Sequence, residues 1–260
     1  MRIRLLPLAL AAFTLPGIAL AQPSQSRAFD GQFTREGITL HYQDATGALA
    51  APARQRIVDT FYSAYLRERA DFHPAAPAEV HIVIDPAYDG VAYVGEKDKA
   101  STITINPGWL VKHPDDIDLV THEAMHIVQG YPSYGDTRVP GWLVEGIADY
   151  ARDRYGTDNA AAGWALPEKV GKGQSVESGY RVTGAFLKWA EAGHPGLVLA
   201  LDKALRNGQY TLALWQQHTG KGLPALWAEY AKPRSDAPPP APARGGKRCA
   251  VAPGHARRNA

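Results

Sequence analysis

Hydrophobic and polar residues alternate in short segments through the first half of the chain, which is the pattern of half-buried β-strands. Residues 38–44 (ITLHYQD) alternate in this way. Segments rich in β-branched residues follow at 79–85, 90–95 and 101–106, separated by turns with proline, glycine and charged residues. Residues 52–70 instead place large apolar side chains at helical spacings, at Ile57, Phe61, Tyr62 and Tyr65. These elements predict a small sheet with one helix packed on it.

The second half of the chain has the periodicity of helices. Asp115, Asp116 and Asp118 suit the positive N-terminal end of a helix that continues through 129. Five further helical patterns follow, at 140–154, 178–192, 196–206, 210–218 and 223–231. The order of elements predicts an α+β fold with a strand-rich lobe to about 130, a helical lobe over 140–232, and the helix that ends at 129 between the two lobes.

The beginning of the chain differs from the domain predicted over 36–232. Its first 21 residues combine two arginines with an apolar run that ends in Ala-Leu-Ala, which indicates a removable export signal, and residues 22–35 read as a linker. A membrane anchor is disfavoured because the apolar run is short and contains two prolines. We therefore expect a secreted or periplasmic protein with no stable membrane association after signal removal.

The end of the chain, residues 233–260, is rich in proline, alanine and arginine and has few large apolar side chains. Burial cannot offset the entropy of ordering such a segment, so we expect a disordered tail. The single cysteine, Cys249, lies in this tail, and an exported chain of this sequence forms no internal disulfide. The folded domain must then be held together by its core or by a metal ion.

The charge balance bears on the class of partner. The whole chain has 28 basic and 26 acidic residues. Two of the arginines lie in the predicted signal, and the tail holds six basic residues and one acid, so residues 22–232 carry 20 basic and 25 acidic residues. This net negative charge disfavours a nucleic-acid partner, because binding to phosphates requires an excess of lysine and arginine.

The segment THEAMHIVQGYP, residues 121–132, carries the pattern H-E-x-x-H. On a helix, His122 and His126 project from one face and can bind one zinc ion, while Glu123 can reach water at that ion. An ordinary buried helix with the same pattern remains an alternative. A third protein ligand decides between the two, because catalytic zinc normally has three protein ligands and an open position.

The metzincin pattern does not supply this third ligand, because Gln129 and Pro132 occupy its glycine and third-histidine positions. Downstream, the helical segment 140–153 places Glu145 and Asp149 four residues apart on one face. A glutamate ligand and an aspartate that accepts a hydrogen bond from a zinc-bound histidine explain this pair. The alternative is a solvent-exposed helix face with ordinary charges, in which Asp149 forms a salt bridge.

Three segments, THEAMHIVQG, GWLVEGIADYARDRYG and SGYRVTGAFLKWAE, resemble the basic secretory protein family. These are peptidase-like proteins of plants and bacteria within the gluzincin clan of zinc metallopeptidases, and the resemblance covers approximately 36–232. It implies a zincin-like fold, Glu123 as the general base, and Asp149 behind a histidine. It also implies Zn²⁺ on His122, His126 and Glu145. The acidic core departs from the basicity in the family's name, which affects inferences about charged partners and not the metal site.

Other site residues are less distinctive. Tyr180 resembles the tyrosine that gluzincin aminopeptidases place after their zinc ligands, which predicts an oxyanion donor, and a tyrosine that packs its ring is the alternative. Four aromatic residues could line the cleft, although such residues are more often buried in the core: Tyr131, Tyr134, Trp142 and Trp164. His194, which precedes Pro195 in a turn, is a weaker candidate than Tyr180 for the oxyanion donor, and a surface histidine is the preferred interpretation. The remaining histidines lack partners at helical or hairpin spacing and receive no chemical role: His41, His73, His81, His113, His218 and His255.

The sequence therefore predicts a secreted, monomeric zinc peptidase that acts on peptide or protein substrates. The strand at 101–106 is the candidate for an edge strand that pairs with extended substrate, and a plain sheet strand is the alternative. No counterpart of the G-x-M-E-N strand of related aminopeptidases is present, which favours an endopeptidase. Two alternatives stay open: a secreted binding protein with a structural zinc site, and a peptidase restricted to glycosylated or cell-wall peptides. Glu123 argues against the first, because a structural site does not need it.

Overall fold

The computed structural model describes residues 28–97, 100–135 and 137–235. The predicted export signal and most of the predicted tail, including Cys249, lie outside the described residues. The first three tail residues, 233–235, continue the last helix. No helix in the described part of the chain is long and apolar enough to cross a membrane.

One mixed sheet is built by five strands in the order β1-β2-β3-β5-β4. The strands are β1 (Phe29–Arg35), β2 (Ile38–Asp44), β3 (Glu79–Ile84), β4 (Ala92–Lys97) and β5 (Ala100–Ile105). The central pairs β2–β3 and β3–β5 are parallel, whereas the two outer pairs are antiparallel. β1 lies within residues 22–35, which the sequence predicts to be a linker. Its signal is weak because an edge strand with two phenylalanines among polar residues and a glycine has little apolar periodicity.

Helix α1 (Ala51–Phe72) connects the parallel strands β2 and β3 and packs on one face of the sheet. Its Tyr62 hydroxyl donates to the carbonyl oxygen of Phe33, and its Tyr65 hydroxyl donates to that of Pro77. Alternate residues of β2, such as Leu40, are fully buried on this face. The opposite face carries half-buried polar side chains, which is the alternation of a sheet covered on one side.

The rest of the described chain is mainly helical, which confirms the α+β class predicted from the sequence. The helices are α2 (Pro107–Lys112), α3 (Leu119–Gln129), α4 (Gly141–Tyr155), α5 (Tyr180–Gly193), α6 (Leu197–Arg206), α7 (Ala213–Thr219) and α8 (Leu223–Ser235). The strand-rich half and the helical half meet at α3, which packs against both α1 and α4.

The start of α3 differs from the prediction. Residues 116–118 form a short 3₁₀ turn, and α3 begins at Leu119. The Asp118 carboxylate accepts hydrogen bonds from the backbone N–H groups of Thr157 and Asp158, at 2.8 Å and 2.6 Å. Asp118 therefore ties the start of α3 to the segment that follows α4, so the two helices are fixed to each other at this end.

Helices α4 and α5 approach each other closely at Gly146. A Cβ atom at this position would lie 2.2 Å from the Cγ2 atom of Thr183, which no side chain can accommodate. Gly184 makes a similar approach from α5, because its added Cβ atom would lie 3.2 Å from the backbone nitrogen of Tyr150. Glycine at these positions allows the Thr183 side chain to lie directly on the α4 backbone and brings the two helices close together.

Glu68 on α1 has a fully buried carboxyl group, and among the described residues neither of its oxygens has a hydrogen-bond partner. Burial raises the pKa of this carboxyl well above its usual range, although His122 and Arg67 act in the opposite direction. The folded protein retains a proton on Glu68 that the unfolded chain releases above the ordinary glutamate pKa. The free energy of unfolding is therefore unaffected by this group below that pKa, and it decreases as the pH rises from there toward the raised pKa of the folded state.

We therefore expect Glu68→Gln to stabilise the fold by about 1–3 kcal/mol near pH 8 and by much less near pH 5, since glutamine is neutral at both. Urea unfolding in the presence of a chelator measures the difference without metal linkage. Glu177→Gln, at an exposed glutamate, is the matched control and should show no pH-dependent difference. Equal stability of Glu68→Gln and the unchanged chain near pH 8 would contradict the prediction.

Candidate metal centre

Three possible metal-ligand atoms converge where α3 packs on α4. The Nε2 atoms of His122 and His126 are 3.1 Å apart, and the Glu145 Oε2 atom lies 3.2 Å from the first and 3.5 Å from the second. Tetrahedral zinc with ligand distances of about 2.0–2.1 Å separates its ligands by about 3.3 Å. The three atoms therefore have the spacing of three corners of a zinc tetrahedron.

The other nitrogen of each imidazole is held by a hydrogen bond. The His122 Nδ1 atom is 2.7 Å from Asp149 Oδ1, and the His126 Nδ1 atom is 2.8 Å from Gln129 Oε1. The Gln129 amide is oriented because its Nε2 group donates to the carbonyl oxygen of Val144 at 2.9 Å. With the protons on Nδ1, both Nε2 lone pairs face the same point, and a cation between them removes their mutual repulsion.

The electrostatics of His122, His126 and Glu145, called the triad below, also favour a cation. Burial lowers the pKa of His122, but hydrogen bonds with Asp149 and Glu145 outweigh it and raise the pKa to about 10. Burial raises the pKa of Glu145, whereas hydrogen bonds from His122 and His126 hold it well below its usual range. The same carboxylates that stabilise a proton here would stabilise a divalent ion in its place.

Glu123 is buried on α3 beside the first histidine, with a side chain that lines the same cleft as the triad. Burial raises the pKa of its carboxyl, and the neighbouring His122 and His126 counteract this effect. Such surroundings make the carboxylate more basic than a solvent-exposed one, which is a property of a general base.

Two polar residues of the centre were not assigned a role from the sequence. Gln129 served only to exclude the metzincin pattern, although its position three residues after His126 on one helical face is a usable signal. Tyr134 was expected only as a possible cleft aromatic. Its hydroxyl donates to Glu145 Oε1 at 2.6 Å, which leaves Oε2 toward the histidines. It lies in the loop between α3 and α4, where no periodicity reveals a contact.

Tyr180 lies in the cleft as the first residue of α5. Its ring is parallel to that of His122, with 6.2 Å between centroids and an interplanar angle of 10°. The backbone is in the left-handed region, with φ of 45°, which strains a residue with a Cβ atom. Its side chain is 57% exposed, so it is not a buried packing tyrosine.

The triad lies in a cleft of about 1370 Å³ between the end of the sheet and the helical half. Tyr131, Tyr134 and Trp164 line this cleft.

The prediction that 101–106 is an edge strand is wrong, because β5 is paired on both sides, by β3 and by β4. β4 is the outer strand on this side of the sheet, and its residues Tyr93 and Val94 line the cleft.

Solved structures and the profile of one family resemble this chain. Two of these solved structures each share 15% sequence identity with it. The first is a variant of an M1 zinc metallopeptidase from Deinococcus radiodurans bound to a Tyr-Ser-Ala substrate, with a TM-score of 0.48 over 82% of this chain and 53% of that chain. The second is a variant of a two-domain M1 zinc metallopeptidase bound to L-tryptophan, with a TM-score of 0.44 over 83% of this chain and 53% of that chain.

The chain thus spans about half the length of those two metallopeptidases. No curated protein matches it in sequence. The profile of a family named BSP, described as peptidase of plants and bacteria, matches residues 33–230, which is most of the chain. The chain belongs to this BSP family of plant and bacterial peptidases.

Proposed function

We propose that the chain is a secreted, zinc-dependent peptidase in which His122, His126 and Glu145 hold the metal and Glu123 is the general base. The observation that carries this proposal is the convergence of the three ligand atoms at 3.1–3.5 Å from one another. Membership of a peptidase family supports the reaction class. The arginines, apolar run and Ala-Leu-Ala of the first 21 residues support export.

The chemistry that zinc supplies when bound is a lowered pKa of water and polarisation of the scissile carbonyl. Glu123 takes the proton from the attacking water and delivers it to the departing amine. Asp149 and Gln129 hold the two imidazoles with Nδ1 protonated, so that Nε2 remains a donor of electron pairs. Tyr134 fixes the rotation of the Glu145 carboxylate by its hydrogen bond to Oε1.

Tyr180 is proposed as the donor to the oxyanion that forms on the scissile carbonyl. Burial and the nearby carboxylates of Glu145, Asp149 and Glu123 raise the pKa of its phenol. The phenol therefore stays protonated at neutral pH and can donate a hydrogen bond.

An extended peptide is the substrate that the cleft fits. Within the described sheet, β4 pairs on one side only, with β5, and its residues Tyr93 and Val94 line the cleft. The free edge of such a strand can pair with an extended peptide through backbone hydrogen bonds. This arrangement supports an extended peptide as the substrate, and we propose an endopeptidase because the sequence has no counterpart of the G-x-M-E-N strand.

The decisive test replaces Glu123 with glutamine and compares cleavage of a diverse peptide mixture by mass spectrometry, with both proteins loaded with zinc. We expect cleavage by Glu123→Gln to be slower by about 10²–10⁴-fold at equal zinc content, because proton transfer is lost and the ligands remain. Equal rates would contradict the role of Glu123. Zinc binding without cleavage by either protein would favour a binding protein with a structural zinc site.

Replacement of Gln129 tests how the ligands are oriented. We expect Gln129→Met to weaken zinc binding by about 10–100-fold, because the His126 ring loses its hydrogen-bond acceptor. Competition with a chromogenic zinc chelator measures the affinity. Gln217→Met, at an exposed helical glutamine of α7, is the matched control and should bind zinc as the unchanged chain does. An unaltered affinity of Gln129→Met would show that the hydrogen bond does not support the ligand.

Replacement of Tyr180 tests the oxyanion donor. We expect Tyr180→Phe to lower kcat by about 10²–10³-fold with zinc affinity unchanged, because only the hydroxyl is removed. Tyr230→Phe removes a hydroxyl outside the cleft and should leave kcat near its original value. If both variants retain kcat, Tyr180 is not the donor.

A further inference from the structure

A second cluster of possible ligands lies on the face of the sheet opposite α1. It consists of His41 on β2 and of Glu79 and His81 on β3. The parallel register places His41 directly beside His81, and Glu79 is two residues before His81 on the same face. Adjacent pairing of two strands thus gathers side chains that are far apart in the sequence.

The side chains of this cluster converge through their ligand atoms. The Glu79 Oε1 atom lies 3.0 Å from His41 Nε2 and 3.8 Å from His81 Nε2. The two imidazole rings stack with 4.6 Å between centroids and an interplanar angle of 23°. Among the described residues, only this cluster and the triad of the cleft bring at least three such atoms within 4.8 Å of one another.

We propose that His41, Glu79 and His81 form a second binding site for a divalent transition-metal ion, with zinc as the ion that the donor set suits. Two imidazole nitrogens and one carboxylate oxygen are ligands that zinc prefers, whereas calcium and magnesium prefer oxygen alone. The side chains are one third to two thirds exposed, so the ion reaches them from solvent and water completes its coordination.

This site is separate from the peptidase centre, because none of its three residues lines the cleft. Its ligands come from two strands in a paired register, so little further ordering is needed when the ion binds. An ion here joins β2 to β3 on the side of the sheet that α1 does not cover. Because it binds only the folded arrangement, it stabilises the fold by mass action, independently of peptide cleavage.

Zinc stoichiometry of the untagged chain, measured by equilibrium dialysis and elemental mass spectrometry at micromolar free zinc, tests the proposal. We expect two zinc ions per chain, and one in the double variant His41→Ala/His81→Ala. The double variant His122→Ala/His126→Ala should also retain one, held by the sheet cluster. His218→Ala removes an exposed histidine outside both clusters and should leave two.

A thermal measurement covers the case in which a variant alters the fold. In the His122→Ala/His126→Ala background, added zinc should raise the Tm, and Glu79→Gln should abolish this rise while the Tm in chelator stays the same. No zinc in the His122→Ala/His126→Ala variant would overturn the proposal, because the sheet cluster would then hold no ion. So would two zinc ions retained by His41→Ala/His81→Ala, because the second ion would then lie elsewhere.

Discussion

The packing of α3 against α4 is the constraint on which the chemistry of this chain depends. Each helix alone presents only part of a ligand set, and the contact between them brings a glutamate oxygen within 3.2 Å of a histidine nitrogen. Gln129 forms part of this contact, because its amide accepts from an imidazole of α3 and donates to a backbone carbonyl of α4. A shift of one helix along the other would separate the three candidate ligand atoms and break this bridge as well.

The C-terminal end of α3 is also held by hydrogen bonds from α6. Arg206 donates to the carbonyl oxygens of Gln129 and Phe72, and it forms an ion pair with Asp202. The Tyr131 hydroxyl donates to the same aspartate at 3.0 Å, and burial raises the pKa of Asp202 to about 6. These contacts satisfy carbonyl groups at the C-terminal ends of α1 and α3, so α6 helps to hold the end of α3 in place.

Local spacing in the sequence is enough to select the side chains that meet at the centre. His122, Glu123 and His126 share one helical turn, and Glu145 and Asp149 are one turn apart on the next helix. Contacts that depend on tertiary structure left no such signal. Tyr134 acts from a loop, and His41 meets His81 only through the parallel pairing of β2 and β3. The edge strand was misassigned because order within a sheet is set by long-range pairing, not by the composition of each strand.

The close approach at Gly146 gives the two walls of the cleft different freedom to change over evolution. On the helical side, the backbone of α4 at Gly146 contacts the Thr183 side chain of α5, and a Cβ atom at Gly146 has no space. The relative placement of Glu145 on α4 and Tyr180 on α5 therefore depends on glycine at this position. On the opposite side, β4 presents Tyr93 with 45% of its side chain exposed. Substitutions there are separated from His122, His126 and Glu145, so under the proposed function substrate preference can change while the candidate metal centre stays the same.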